Sequence, residues 1–153
     1  MIVGIISDTH GLLRKEVKDN LKDCDLIIHA GDIGKLEVIK DLKDISKVEY
    51  IKGNCDKKGE FNDVKESSIV DIGGAKIFIV HDINNIKVNL KKLGVNIVIY
   101  GHSHKNETYK KDGILYINPG SVGPKRFKLP TTMAKLKIND KDIINSSIEF
   151  IEI

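Results

Sequence analysis

Two histidines separated by one serine, His102 and His104, follow the apolar run "VNIVIY" at residues 95–100. Four other apolar runs along the chain also end in side chains that bind metals or carry protons. Besides the histidine pair, these side chains are Asp8, His10, Asp32, Asn54, Asp56, His81 and Asp82. Because the carboxyl ends of parallel strands meet at one edge of an α/β sheet, where ligands bind, we expect these residues to lie together.

The chemistry of this set indicates metal binding. Carboxylate oxygen, amide oxygen and imidazole nitrogen together favour Mn, Fe, Zn, Ni or Co over Ca, which prefers all-oxygen sites. The set holds more ligands than one catalytic ion with an open position can use. It therefore predicts two divalent ions roughly 3.5–4 Å apart that share a carboxylate. Mn is the favoured metal, with Ni, Fe, Zn, Co or Mg as alternatives.

The elements that must position these residues alternate in the first half of the chain. Strand-like runs at 2–7, 25–30 and 47–53 are separated by two segments with apolar residues at helical spacing, which predicts parallel strands in β-α-β-α-β order. The second half predicts hairpins at Gly73-Gly74 and Asp112-Gly113, a helix over 85–94, a buried strand before His102 and a final hairpin. This order predicts a four-layer α/β/β/α sandwich of two mixed sheets flanked by helices, forming one domain over residues 1–153.

Composition excludes several classes of protein. The 153 residues are 41% hydrophobic and 31% charged, and the net charge of +3 is too small to indicate nucleic acid binding by itself. No apolar run approaches the length of a membrane span, and the N-terminus does not resemble a signal peptide. Two cysteines without an export signal predict reduced thiols and a cytoplasmic location.

Five short motifs, taken in order, resemble the calcineurin-like metallophosphoesterases, and in particular the small YfcE-like phosphodiesterases. The family pattern of D-x-H, G-D, G-N-x-D, a histidine and G-H-x-H corresponds here to residues 8–10, 31–32, 53–56, 81 and 101–104. The segment "INPGSVG" (117–123) is also similar to one near the end of this subfamily. The resemblance covers nearly the whole chain. It implies hydrolysis of phosphoric esters on the fold described above.

The resemblance also implies roles for individual residues. Asp8, His10 and His104 would bind the first metal and Asn54, His81 and His102 the second. Asp32 would bridge the two ions. Asn54 and His102 would also lie beside the bound phosphate, and a metal-bridging hydroxide would attack phosphorus.

Two positions depart from the family pattern. Cys55 stands where larger members often carry a histidine that helps the leaving group to depart, so we expect activated aryl esters to react better than alkyl esters. Asp82-Ile83 replaces the His-Gly-His continuation of the subfamily, which predicts altered substrate choice. In the run "PKRFK" (124–128), Arg126 is a candidate phosphate ligand or a solvated loop residue, and the two lysines are expected in solvent.

Structural roles compete with some of these functional ones. Asp8 and Asp32 could instead cap the helices that follow them, and Asn54 could be a turn residue. His29 lies inside an apolar strand and is expected to be buried and hydrogen-bonded to backbone. Asp56 is expected to support the site or to form a turn.

The predicted function is a dinuclear metal-dependent phosphodiesterase acting on small phosphodiesters. We expect neither a nucleic acid polymer nor a membrane as partner, and a homodimer is compatible with the family. The alternative function is a catalytically weak protein-interaction scaffold on the same fold, which would be expected to have gaps in the ligand set. A metallohydrolase acting on another bond, such as an amide, is a third hypothesis.

Overall fold

The computed structural model describes residues 1–57, 59–139 and 142–153, and these residues form two five-stranded sheets. The first sheet is built from β1 (Ile2–Ile6), β2 (Leu26–His29), β3 (Lys47–Tyr50), β9 (Thr132–Asn139) and β10 (Asp142–Glu152). The second sheet is built from β4 (Ser67–Ile72), β5 (Ala75–Val80), β6 (Ile97–Ile99), β7 (Glu107–Lys111) and β8 (Ile114–Asn118). Their strand orders are β10-β9-β1-β2-β3 and β4-β5-β6-β8-β7.

The predicted β-α-β-α-β unit forms the centre of the first sheet. Strands β1, β2 and β3 are parallel neighbours and are joined by α1 (Lys15–Leu21) and α2 (Leu36–Lys43). Both helices bury the apolar residues that have helical spacing, including Val17 and Leu21 in α1 and Val38 and Leu42 in α2. Packing of these faces covers the outer side of the sheet.

Three antiparallel pairs follow the parallel unit, as predicted. Strands β4 and β5 turn at Gly73-Gly74, and β7 and β8 turn at Asp112-Gly113. All four turn residues have positive φ, which right-twisted two-residue hairpins require. Strands β9 and β10 also pair, while their connection at 140–141 lies outside the described residues.

The two sheets stack face to face and share one apolar core. Ile5 and Ile28 from the first sheet and Ile77 and Ile99 from the second are all 0% exposed and belong to the same cluster. This arrangement confirms the sandwich of two mixed sheets.

The helix predicted over residues 85–94 is wrong. The segment contains the end of a 3-10 helix (Ile83–Asn85) and then turns. Asn89 Oδ1 accepts a hydrogen bond from the Lys92 N–H, and such a local bond competes with helical pairing. Ile83, Ile86 and nearby side chains nevertheless cover the outer face of the second sheet.

The strands that precede the candidate ligands end at one edge of the sandwich. In the first sheet these are the parallel strands β1, β2 and β3, and in the second sheet the parallel strands β5 and β6. Neither α-helix in the described part of the chain has the length and apolar character needed to cross a bilayer. Cys24 and Cys55 are free thiols.

Candidate metal centre

The structure brings the predicted ligands together at the common sheet edge. They are Asp8, His10, Asp32, Asn54, His81, His102 and His104. Asp8, Asp32, His81 and His104 are between 0% and 7% exposed, and we call these four residues the floor of the site. Asn54, Cys55, His102 and Arg126 are exposed, and we call them its rim.

Each floor carboxylate is held by one oxygen and presents the other to histidines. Asp8 Oδ2 accepts hydrogen bonds from Ser7 Oγ (2.8 Å) and the His102 N–H (3.3 Å). Asp8 Oδ1 lies 3.3 Å from His104 Nε2 and 3.7 Å from His81 Nε2.

The two oxygens of Asp32 are arranged in the same way. Its Oδ1 accepts a hydrogen bond from the Cys55 N–H at 2.9 Å, whereas its Oδ2 lies 3.2 Å from His81 Nε2 and 3.8 Å from His10 Nε2. Hydrogen bonds to the loops thus fix both carboxylates, and each keeps one oxygen for a ligand.

The hydrogen bonding of His81 fixes which of its nitrogens faces the centre. Nδ1 lies 2.7 Å from the Ala30 carbonyl oxygen, which can only accept, so Nδ1 carries the hydrogen. Nε2 then points toward Asp8 and Asp32 with a lone pair, as a metal-binding imidazole does.

The electrostatics of the floor favour a positive charge between the carboxylates. Burial lowers the pKa of His81, but the Asp32 and Asp8 carboxylates outweigh burial and raise that pKa above its usual value. Burial raises the pKa of Asp32, but His81 and the Cys55 N–H outweigh it and hold that pKa well below its ordinary range.

The residues fit a divalent metal ion. Among the described side chains, buried Asp8 Oδ1, His10 Nε2 and His81 Nε2 have no hydrogen-bond partner, which is unusual for buried polar atoms. Three groups have ligand atoms within 4.8 Å of one another: Asp8, His10 and His104; Asp8, Asp32 and His81; and His10, Asp32 and Cys55. A mixed set of nitrogen and oxygen donors suits a first-row transition metal.

These groupings refine the predicted assignment of ligands. The first group contains the three residues that the resemblance implies for one ion, and Asp32 Oδ2 lies near both His10 Nε2 and His81 Nε2. Asp8 also contributes to two groups, a shared position that the sequence did not indicate.

Asn54 and His102 lie beside the floor rather than within it. Asn54 Oδ1 is 3.3 Å from His102 Nδ1, and the His102 ring centroid is 5.3 Å from that of His81. Both side chains are exposed, so they can reach a ligand that enters from solvent.

The backbone at the site adopts an unfavourable conformation. Five candidate ligands have positive φ: Asp8 (58°), His10 (46°), Asp32 (54°), His102 (74°) and His104 (63°). Asp and His tolerate the left-handed region better than most residues, but it still costs free energy. The surrounding hydrogen bonds hold these residues in place and so aim their side chains at one centre.

Two glycines let the strand-end loops approach closely. A Cβ on Gly53 would lie 2.2 Å from Asp32 Oδ1, and a Cβ on Gly101 would lie 2.1 Å from Ser7 Oγ. Only glycine fits at these positions without displacing the residues that hold the two carboxylates.

His29 supports the site from below, and the structure confirms its predicted burial. It is 0% exposed, its Nδ1 accepts from the Gly31 N–H (3.1 Å), and its Nε2 lies 2.9 Å from Thr9 Oγ1. Burial lowers the pKa of His29 to about 4, so the imidazole stays neutral. Thr9 in turn donates to the Ile33 carbonyl oxygen, which links the loops after β1 and β2.

Asp56 joins the loops after β2 and β3. Its carboxylate accepts hydrogen bonds from the backbone N–H groups of Ile33, Gly34 and Gly53. This arrangement agrees with the predicted supporting role. The alternative helix-capping roles of Asp8 and Asp32 are wrong, because the N-cap residues are Arg14 and Lys35 and neither makes a side-chain cap.

Two residues that hold the ligand-bearing loops by hydrogen bonds, Asn118 and Ser121, were not predicted from the sequence. Asn118 Nδ2 donates to the Gly101 carbonyl oxygen and to Ser103 Oγ, and Ser121 Oγ donates to the Asp8 carbonyl oxygen. Both belong to the "INPGSVG" segment, which was noted for its resemblance but without a role. Asn118 is the last residue of β8 and Ser121 follows three residues later, and this position at a strand end was the available signal.

The loop that contains Arg126 reaches the site. Arg126 and Lys125 line a small cavity together with His104. Partial desolvation and the Asp32 carboxylate raise the pKa of the Cys55 thiol above its usual value, and the positive charge of Arg126 opposes this shift only weakly. Cys55 therefore remains a protonated thiol.

The model of the calcineurin-like phosphoesterase superfamily domain matches residues 1–141. The chain belongs to this superfamily. It is 36% identical to a probable metallophosphoesterase of Methanocaldococcus jannaschii, over 92% of this chain and 78% of that protein. It is also 33% identical to a phosphodiesterase of the same organism, over 78% of this chain and 83% of the relative.

Solved structures of phosphoesterases and of Vps29 share the fold. Vps29 from Entamoeba histolytica, as a single mutant, superposes with a TM-score of 0.77 at 24% identity, covering 100% of this chain and 99% of that chain. The phosphoesterase Yfce from E. coli superposes with a TM-score of 0.72 at 21% identity, covering 99% of this chain and 98% of that chain. These two structures show that the chain shares their fold.

One departure from the superfamily pattern, Asp82, lies at this centre. Its Oδ1 accepts from the Asn84 N–H and so caps the 3-10 helix. Its Oδ2 lies 3.8 Å from His102 Nε2. Asp82 thus brings a carboxylate to the edge of the phosphoesterase site.

Proposed function

We propose that this phosphoesterase is a phosphodiesterase that hydrolyses small phosphodiesters with two divalent ions, Mn being the favoured metal. The observation that carries the proposal is the pair of buried carboxylates, each with one oxygen held by hydrogen bonds and the other turned toward imidazoles. Such rigid, preorganised ligands are what metal-assisted hydrolysis requires. The relative described as a phosphodiesterase supports the diester over the monoester.

In this proposal the ligands divide as the resemblance implies. Asp8, His10 and His104 hold one ion, Asn54, His81 and His102 hold the other, and Asp32 lies between them. When bound, the ions supply an activated water and neutralise charge on the phosphoryl oxygens. The two free thiols suit a reducing compartment such as the cytoplasm.

The rim residues act on the substrate. Asn54 can offer its oxygen to an ion while its amide N–H donates to a phosphoryl oxygen. Arg126 can contact a second phosphoryl oxygen from the opposite side, since it lines a cavity with His104. Cys55 carries a proton but is a weak donor, so phenolic leaving groups that need no protonation should react fastest.

A protein-interaction scaffold is the second candidate function. The likeness to Vps29 in fold favours it. The complete set of candidate ligands favours catalysis instead, because a scaffold has no need for buried carboxylates aimed at histidines.

The decisive experiment is metal-dependent hydrolysis by protein that was purified without chelators, stripped of metal and reloaded. Mn, Ni, Mg and Zn are added separately, and hydrolysis of bis-p-nitrophenyl phosphate is compared with that of p-nitrophenyl phosphate. His104→Ala and Asn54→Ala test the site, and Asp71→Asn is the control because Asp71 is exposed near the far end of β4. Diester cleavage that both site variants lose and the control retains supports the proposal. Folded protein without turnover in any metal overturns it and favours the scaffold.

A further inference from the structure

A cavity of about 270 Å³ opens directly beside the candidate metal centre. Asn54, His81 and His102 form the wall that faces the centre. His81 is 4% exposed, and its Nε2 is without a hydrogen-bond partner among the residues that the structure describes. A group attached to phosphorus at the centre can therefore extend into this cavity.

The rest of the cavity lining is acidic and rich in hydrogen-bond acceptors. Glu66 and Asp82 contribute two carboxylates against the single ammonium of Lys52, and Ser67 and Asn85 add a hydroxyl and an amide. Asp82 is the best placed of these groups, because the cap to Asn84 fixes it and its free oxygen lies 3.8 Å from His102.

This acidity is unexpected next to an anion-binding centre. A second phosphate or a carboxylate on the substrate would be repelled here. A group that carries positive charge and N–H donors would instead find the acceptors it needs. Among the described residues, no Phe, Tyr or Trp lines the cavity, so the lining suits a primary ammonium, which donates three hydrogen bonds, better than a quaternary one.

The other side of the centre has the opposite charge. Lys125 and Arg126 line the cavity beside His104. A diester with one ammonium-bearing ester group would therefore bind in one orientation, with its phosphoryl oxygens toward Arg126 and its ammonium toward Asp82.

We propose that the cavity lined by Asp82 and Glu66 recognises a primary ammonium carried by one ester group of the phosphodiester, with an aminoethyl ester as the test case. This inference rests on the proposed function and names the substrate class of that same site. Asp82 is its main specificity-determining residue.

The test uses two phosphates that differ only at the end of the chain. O-phosphoethanolamine ends in an ammonium, and propyl phosphate ends in a methyl group at the same position. Their dissociation constants are measured by calorimetry on protein loaded with Mn²⁺, which makes the result independent of turnover. The same preparation is assayed with bis-p-nitrophenyl phosphate to test the proposed function separately.

We expect O-phosphoethanolamine to bind about tenfold more tightly than propyl phosphate, because a charge-assisted hydrogen bond is gained. Asp82→Asn keeps the cap to Asn84 but removes the charge, and should lower this ratio to about two. Asp71→Asn makes the same chemical change at an exposed position and should leave the ratio unaltered.

Each other result overturns the inference. Equal affinities in the unsubstituted protein, or no binding of either phosphate, exclude an ammonium subsite. A ratio that Asp82→Asn leaves unchanged removes Asp82 from recognition. If the substitution weakens the binding of both phosphates equally, Asp82 only positions His102 and does not recognise the ammonium. Diester hydrolysis without discrimination rejects this inference alone, whereas discrimination without hydrolysis rejects the proposed catalysis.

Discussion

The floor and the rim of the site differ in how their side chains are held. The floor residues are buried, and hydrogen bonds from neighbouring loops fix one atom of Asp8, Asp32 and His81. The rim residues are exposed, and the closest polar contact of Asn54 and His102 is with each other. This difference indicates that the candidate ligands of the floor are rigidly positioned, whereas the rim side chains are free to adjust to a ligand from solvent.

The strongest test of the difference between floor and rim removes the negative charge of one floor carboxylate. Asp32→Asn keeps the size of the side chain but loses the negative oxygen that faces His10 and His81. We expect hydrolysis of bis-p-nitrophenyl phosphate to fall about a thousandfold, together with the bound metal. Metal analysis and steady-state kinetics give the answer, with Asp71→Asn as the matched control. Turnover close to that of the unsubstituted protein would mean that the floor does not hold the metal.

The second prediction concerns His29, the buried and neutral histidine that supports the floor residues. The pKa of His29 is about 4 in the folded protein against about 6.5 when unfolded, so below pH 6.5 the unfolded chain binds a proton that the folded one does not. Folding stability should therefore be full above pH 6.5 and fall by about 3 kcal/mol as the pH drops to 4.

Urea unfolding of metal-free protein at several pH values measures this loss. His29→Gln keeps an N–H donor for Thr9 but cannot titrate, so its stability should fall less over the same range. The difference between the two proteins isolates His29 from other titrating groups. Parallel pH profiles would show that His29 takes up its proton without disturbing the fold.

The third prediction addresses the rim. His102→Ala should lower kcat/KM for the diester by roughly 10–100-fold, because the variant loses a candidate ligand and a neighbour of the phosphate. Since Asp8, His10 and His104 are unaltered, the variant should retain the ion proposed for those three residues, whereas Asp32→Asn should lose both ions. Complete loss of metal from His102→Ala would break the distinction between the two regions.

The smallest expected effect is at Arg126. Because this side chain is exposed, Arg126→Ala should raise KM about fivefold and leave kcat within about twofold. The rise in KM should shrink at high salt, where exposed charges are screened. Lys128→Ala, in the same loop, should change neither constant. An unaltered KM in Arg126→Ala would show that Arg126 is a solvated loop residue that does not contact the substrate.

The sequence predicted the elements and residue types of the site because both follow from local patterns. Apolar runs of strand length, helical spacing in α1 and α2, and a polar residue after each strand are properties of neighbouring residues. The parallel order then follows from the connections, which places the strand ends at one edge.

The contacts that aim the ligands could not be predicted in the same way. Which oxygen of Asp8 or Asp32 faces the histidines depends on hydrogen bonds from residues distant in the sequence, such as the Cys55 N–H. The helix predicted over 85–94 failed for a related reason, since Asn89 and the packing of Ile86 on the second sheet outweigh a weak helical pattern. Long-range packing, rather than propensity, decides such segments.

The left-handed backbone at five candidate ligands has an evolutionary consequence. Each such residue costs about 1 kcal/mol that a glycine would not, so the chain would gain stability by abandoning its site one substitution at a time. A lineage released from the need for chemistry should drift first at these positions, toward glycine. Aspartate and histidine at all five positions are what selection for ligand binding would be expected to keep against this drift.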